Sequence, residues 1–329
     1  MLFRSPGNVD LAVKGNYLYA DSYSDLVVFD ISHPSDIHTV KFVSNVFPYR
    51  SIYYYWGTSS NPDSINVVVD YIAKDTTVQC DTYNRWAYYN CPQCDYSSAP
   101  GLLTSIPSKG GTGGSMARFA VINNNLYTVS NSDVSDFDIA DAANPQLQST
   151  TSLGTWNAET IFPFNGKLFI GSSNGMFIYD VSNASTPVQL GQFSHVRSCD
   201  PVIADNNNAF VTLRSGTVCQ GFSNQMEVMD IANLTNPVLL KTYSMTNPHG
   251  LSKDGNWLFV CDGTDGLKVY DAADVNNIQL KKQIPGIETY DVIATNNIAM
   301  VVAADGLYQF NYSDINNIQQ LSKIAIEKN

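Results

Sequence analysis

The sequence predicts an all-β chain, a β-propeller of four-stranded antiparallel blades with six repeats visible. Three observations carry this. One hairpin-like unit recurs along the 329 residues; its copies fall at an even spacing; and no stretch sustains the 3.6-residue apolar rhythm of a packed helix.

The copies are LYADSYSDLVVFDIS (18–32), LYTVSNSDVSDFDIA (126–140), LFIGSSNGMFIYDVS (168–182), FVTLRSGTVCQGFSNQMEVMDIA (210–232), LFVCDGTDGLKVYDAA (258–273) and MVVAADGLYQFNYS (300–313). Each has an apolar run, a polar turn, and a second apolar run ending in Asp30, Asp138, Asp180, Asp230, Asp271 or Asn311. That is a β-hairpin. A short apolar segment precedes each copy (VDLAV, ETIFPF, YDVIA), and another follows, often after Pro145, Pro187 or Pro237 (LQSTTSL, VQLGQF, VLLKTY). Four strands per copy is the make-up of a propeller blade. The terminal Asp and Asn residues are 108, 42, 50, 41 and 40 apart, and the regular period lies in the blade-forming range. Each is expected to open the turn to the fourth strand, accepting backbone N–H groups as an Asx turn. Blade rims are too far apart for these residues to share one metal ion.

Lys and Arg number 18 against 30 Asp and Glu, a net charge of -12, which repels nucleic acid and anionic membrane surfaces. No apolar run approaches the roughly 20 residues that span a bilayer. The start, MLFRSPGNVDLAV, lacks the apolar core of a signal peptide, so either the protein is cytosolic or a leader has been cut away.

Leu26-Val-Val-Phe-Asp30-Ile-Ser, Met176-Phe-Ile-Tyr-Asp180-Val-Ser, Met226-Glu-Val-Met-Asp230-Ile-Ala and Leu267-Lys-Val-Tyr-Asp271 resemble the repeat of bacterial LVIVD β-propellers. The resemblance covers nearly all the chain outside 44–115. It implies an exported or lipid-anchored, lipoprotein-like protein of the bacterial cell envelope, surface or periplasm, with no assigned reaction. Relatives often carry another repeat before the point where this chain begins. A seventh blade is therefore expected to be either missing at the N-terminus or degenerate within 46–79.

In such a blade the strands run a, b, c, d from the channel outwards and alternate in direction. The d-to-a connections and b-to-c turns then share one face, the channel mouth. Aligned a strands bring Asp10, Arg118, Glu159, Asp200, His249 and Asp291 to one level there, the default geometry for a ligand site. His249 leads, because Gly250 beside it leaves room for close approach. The run His195-Val-Arg-Ser-Cys-Asp200 enters the same mouth. The 108-residue spacing marks 44–115 as an insertion on that face, within a single domain spanning 1–329. Its rings, Tyr54, Tyr55, Trp56, Trp86 and Tyr88 among them, suit either a stacking lid over a ligand or simple packing onto the propeller. It closes with a flexible SKGGTGGS.

Other motifs carry less. Cys91-Pro-Gln-Cys94 has metal-knuckle spacing, but only Cys80 offers a third ligand, so a local disulfide ranks above a metal. Cys199 and Cys219 both fall on the mouth face, where a disulfide would clamp the long turn of that repeat in an exported protein. Cys261, inside a strand, reads as an inert buried thiol. Gly171-Ser-Ser-Asn-Gly175 fits the esterase pattern but lies at a strand-to-strand tip. In FVCDGTDGLKVYD (259–271) the acids lack calcium-loop spacing and read as solvated caps on a turn.

The expectation is a monomeric, non-catalytic binding or interaction module, needing no cofactor, whose mouth takes a glycan, peptide or protein. Two alternatives stand beside it. One is a carbohydrate-active hydrolase or lyase using Glu159, Asp200 and His249; the other is a structural scaffold.

Overall fold

A computed structural model describes Asn8 and residues 10–47, 114–155, 158–194, 201–215 and 223–326. These residues form six four-stranded antiparallel sheets standing in a ring. The first blade runs through Leu11–Lys14, Tyr17–Ser22, Asp25–Asp30 and His38–Val43, each strand paired with the one before it. The other five repeat this order, with inner strands Phe119–Ile122, Ala158–Phe164, Val202–Ala204, Leu251–Asp254 and Thr289–Thr295. Consecutive inner strands lie side by side from the first blade to the sixth.

Local chemistry explains the repetition. Tight two-residue turns join the first two strands of every blade but the fourth, and residues with positive φ occupy them: Gly15, Asn123, Asn165, Gly166, Gly255, Asn296 and Asn297. Gly and Asn take that conformation at least cost, and it matches the twist of the flanking strands. At the end of the third strand, the Asx turn expected from the sequence forms in every blade. The side-chain oxygens of Asp30, Asp138, Asp180, Asp230, Asp271 and Asn311 each accept the amide two residues on, at 2.7–3.1 Å. Each third-to-fourth strand pair also carries one β-bulge, at Val28/Phe29, Asp136/Phe137, Ile178/Tyr179, Val228/Met229, Val269/Tyr270 and Gln309/Phe310. A bulge sharpens the twist of the outer strand.

The core is a set of layers between blades. Five apolar clusters each draw residues from two neighbouring blades; Tyr19, Leu26 and Val28, for example, pack on Leu126, Phe137 and Ile139. Phe47, counted with the insertion in the sequence, lies in that first layer and stacks on Phe119 at 5.8 Å. The chain divides into two compact units, 1–49 with 105–329 and 50–104. The second unit lies outside the described residues, as does the part of 46–79 beyond Phe47 that could hold a degenerate blade.

Candidate functional site

The inner strands start at the same end of the ring as the turns between second and third strands. Counting back from the inner hairpins puts Asp10, Arg118, Thr160, Gly250 and Asp291 at one level there. Glu159, His249 and Tyr290 come one residue further out.

Two of the expected ligand residues turn inwards. The Asp10 carboxylate accepts the amides of Arg118 (2.5 Å) and Phe119 (2.8 Å). Asp291 accepts the Ser115 hydroxyl at 3.3 Å and the amides of Met116 and Val292. Ser115 Oγ in turn accepts the Leu251 amide at 2.7 Å, and the Ile161 amide donates to the Ala117 carbonyl at 2.7 Å. The stretch 114–119 is therefore bonded to the first, third, fifth and sixth blades before it becomes the inner strand of the second. It crosses from one side of the ring to the other. Gly114 and Gly250 are required there, since a Cβ at either would run into the Asp291 carboxylate. Burial, foremost, pushes the Asp291 carboxyl up to about 7, and nearby Asp10 adds to the rise. The closing residues of the glycine-rich tract, read from the sequence as flexible, are thus a fixed crossbar.

Above this crossbar stands a polar row. Burial raises the Glu159 carboxyl, with the guanidinium groups of Arg118 and Arg214 pulling it back. Arg214 is lowered by burial and held up by Glu159. Its Nη1 meets the imidazole of His249, 2.8 Å from Nε2 and closer still to Nδ1. Asn247 Nδ2 is 3.3 Å from the same Nε2, and the Tyr290 ring lies 5.3 Å away, centroid to centroid. His249 is buried, and burial first, then the Arg214 charge, lowers its pKa to about 4. Its imidazole is neutral at physiological pH.

The backbone around His249 is clamped. Thr212 Oγ1 donates to its carbonyl at 2.6 Å, and its amide donates to the Cys261 carbonyl at 2.7 Å. Asp262, read from the sequence as a solvated cap, is instead completely buried. It accepts the amides of Thr246 (3.1 Å) and Asn247 (2.7 Å), and Lys268 pairs with it at 2.5 Å. The loop of FVCDGTDG is a bracket for the connection that carries His249. A turn of this kind exposes its acids only where nothing crosses above it, and here the preceding connection does.

Arg214 escaped the sequence reading, which compared only the starts of inner strands. It follows the second strand of the fourth blade, where the other repeats have Tyr23, Asn131, Ser173, Gly263 or Ala304. An arginine among uncharged sister residues was the available signal. Asp200, His195, the aromatic residues Tyr54, Tyr55, Trp56, Trp86 and Tyr88, and the cysteines Cys80, Cys91, Cys94, Cys199 and Cys219 lie outside the described residues. Cys261 is a buried free thiol whose pKa burial pushes well up. Ser173, the serine position of the esterase-like match, is buried at the tip of a plain hairpin between the strands Lys167–Ser172 and Gly175–Asp180. Among the described residues no group of three or more His, Cys, Asp or Glu could hold a metal ion, and no helix is long and apolar enough to cross a membrane.

The LVIVD repeat model matches residues 7–43, 167–194 and 219–245. Among solved structures, a protein from Lactobacillus plantarum is similar with a TM-score of 0.60 at 13% identity, over 98% of this chain and 86% of that one. A functionally unknown protein from Desulfotomaculum acetoxidans reaches 0.57 at 14% identity, over 98% of this chain and 87% of that one. At such identities the likeness is one of fold. No curated protein matches. The chain is thus a six-bladed β-propeller that carries the LVIVD repeat in three stretches and resembles the proteins built from it.

Proposed function

We propose that this propeller is a non-catalytic binding module of the bacterial cell envelope, and that its ligand, a glycan, peptide or protein, docks on the mouth face. The observation that carries the reading is the row Arg118, Glu159, Arg214, His249, brought from four successive blades to one end of the ring. Two guanidinium groups, a carboxyl and a neutral imidazole offer donors and acceptors at one level, the mix that orients a polar ligand. The crossbar at 114–119 gives this site a floor. The envelope setting rests on the resemblance to exported LVIVD proteins, and the segment 44–115 is taken as an insertion on the same face. Asp10 and Asp291 are left out of the ligand set, because their oxygens already accept backbone amides.

A glycan and peptide array tests the proposal with wild type and two variants, His249→Ala and Arg214→Ala. Binding in the wild type that falls at least tenfold in both variants, with the probes recovered chemically intact, is the expected result. Undiminished binding in the variants would remove the mouth from consideration. Cleaved probes would favour the hydrolase or lyase alternative, with Glu159, whose burial favours the protonated acid, as its first residue to test.

A further inference from the structure

Two acids, one at the entry to the first blade and one in the sixth, hold the same six-residue crossbar. Asp10 takes the amides of Arg118 and Phe119 on a single oxygen, Oδ2. Asp291 takes the Ser115 hydroxyl and the Met116 amide, and its oxygens lie where a Cβ on Gly114 or Gly250 would stand. The two carboxyl groups are close enough for Asp10 to raise Asp291. Among the described residues neither has an ion-pair partner. The charged and titratable groups that face them are few. Arg118, on the crossbar itself, draws Asp10 down, and the Cys261 thiol of the fifth blade, held neutral by burial, lies near Asp291.

Two like charges in a poorly solvated site oppose each other's ionisation, so the second is formed only at higher pH. Asp10 is the better anion, since the amides of Leu11, Arg118 and Phe119 and the Arg118 charge all favour its ionised form. The proton therefore stays with Asp291. We propose that the pair is a proton latch: with one proton between Asp10 and Asp291 the crossbar is held on the sixth blade, and with both acids ionised the segment 114–119 lifts from it. Opening hydrates Asp291 and restores an ordinary carboxyl, which fixes the sign of the response. The latch is tightest below about 3.9, the usual value for Asp, and loosens as pH rises, by up to about tenfold per unit. It is weakest above about 7, the value burial gives Asp291 in the closed form. Arg118 belongs to the crossbar, so opening also displaces one end of the polar row; that consequence alone rests on the mouth reading.

Amide hydrogen exchange on the full chain, corrected for the intrinsic pH dependence of each amide, reads the latch. Between pH 5 and pH 7 the protection of the Met116, Arg118 and Phe119 amides is expected to fall at least about tenfold. At pH 7 these amides should exchange at least about tenfold faster than those of Val211 and Val260, in the central strands of the fourth and fifth blades. In Asp291→Asn, which keeps an acceptor for Ser115 but carries no charge, the fall should shrink below about threefold. A carbon-13 carboxyl titration of the wild type needs no variant: Asp291 should titrate near pH 7, with Asp10 responding in the same step. Protection that ignores pH in the wild type, an equal fall in Asp291→Asn, crossbar amides no faster than Val211 and Val260, or an Asp291 midpoint below about 5 would each overturn the proposal.

Discussion

His249 owes its neutrality to place, and its place to Asp262. A histidine kept neutral by the fold contributes stability that is complete above its unfolded pKa of about 6.5. That contribution is lost as pH falls from there towards about 4, the folded value. Thermal unfolding followed between pH 7 and pH 4 should therefore show a shallower decline in His249→Gln than in wild type; parallel curves would mean that the ring is solvated. The opposing groups include Asp291, at about 7, and Asp136, at about 6, with Asp10 and Glu159 raised by burial in the same direction; such carboxyls bind protons in the fold and stabilise it on acidification. All are common to wild type and variant, so the difference reports the imidazole. Removing Asp262 is a harsher change. Asp262→Ala leaves two amides and the Lys268 ammonium without their buried partner, a loss on the order of 3–5 kcal/mol, measurable by urea unfolding. A loss under about 1 kcal/mol would mean that water replaces the carboxylate.

The hairpins and the turns that follow them repeat one chemistry, so a change in one blade predicts the others. Asp230→Ala deletes a single side-chain acceptor for the Ala232 amide and should cost about 1 kcal/mol, as one net hydrogen bond does. This level of structure was legible in the sequence. The Asp that ends each third strand, the Gly and Asn of the tight turns and the near-41 period all act through contacts a few residues long, and six copies average out the exceptions. The level of the inner-strand starts was legible too, because it follows from register. Side-chain direction at that level was not. Asp10 and Asp291 bend inwards because the 114–119 crossbar presents amides to them, and that contact joins residues 108 and 176 apart in sequence. Arg214 and the burial of Asp262 belong to the same class, since a turn's environment is set by what another blade lays over it.

The described ring combines five apolar layers between neighbouring blades, a crossbar at 114–119 and a polar mouth. Its layers should respond to truncation as cores do, and exposed positions should not. Leu267→Ala is expected to cost about 2–5 kcal/mol, Leu307→Ala within about 0.5 kcal/mol, both read by urea denaturation. Equal losses would mean that Leu307 is buried in solution. Ser115→Ala strips the Leu251 amide of its acceptor at the centre of the ring, for about 1–3 kcal/mol. Its effect should be global, lowering the single unfolding transition, because the crossbar ties four blades at once. The central claim is that ligand meets the chain at the mouth. Calorimetric titration of the strongest array ligand into wild type, Arg214→Ala and Leu280→Asp, a change at an exposed outer-strand position, tests it most directly. At least a tenfold weaker affinity for Arg214→Ala with wild-type affinity for Leu280→Asp is the predicted result; the reverse pattern, or full affinity in Arg214→Ala, would contradict it.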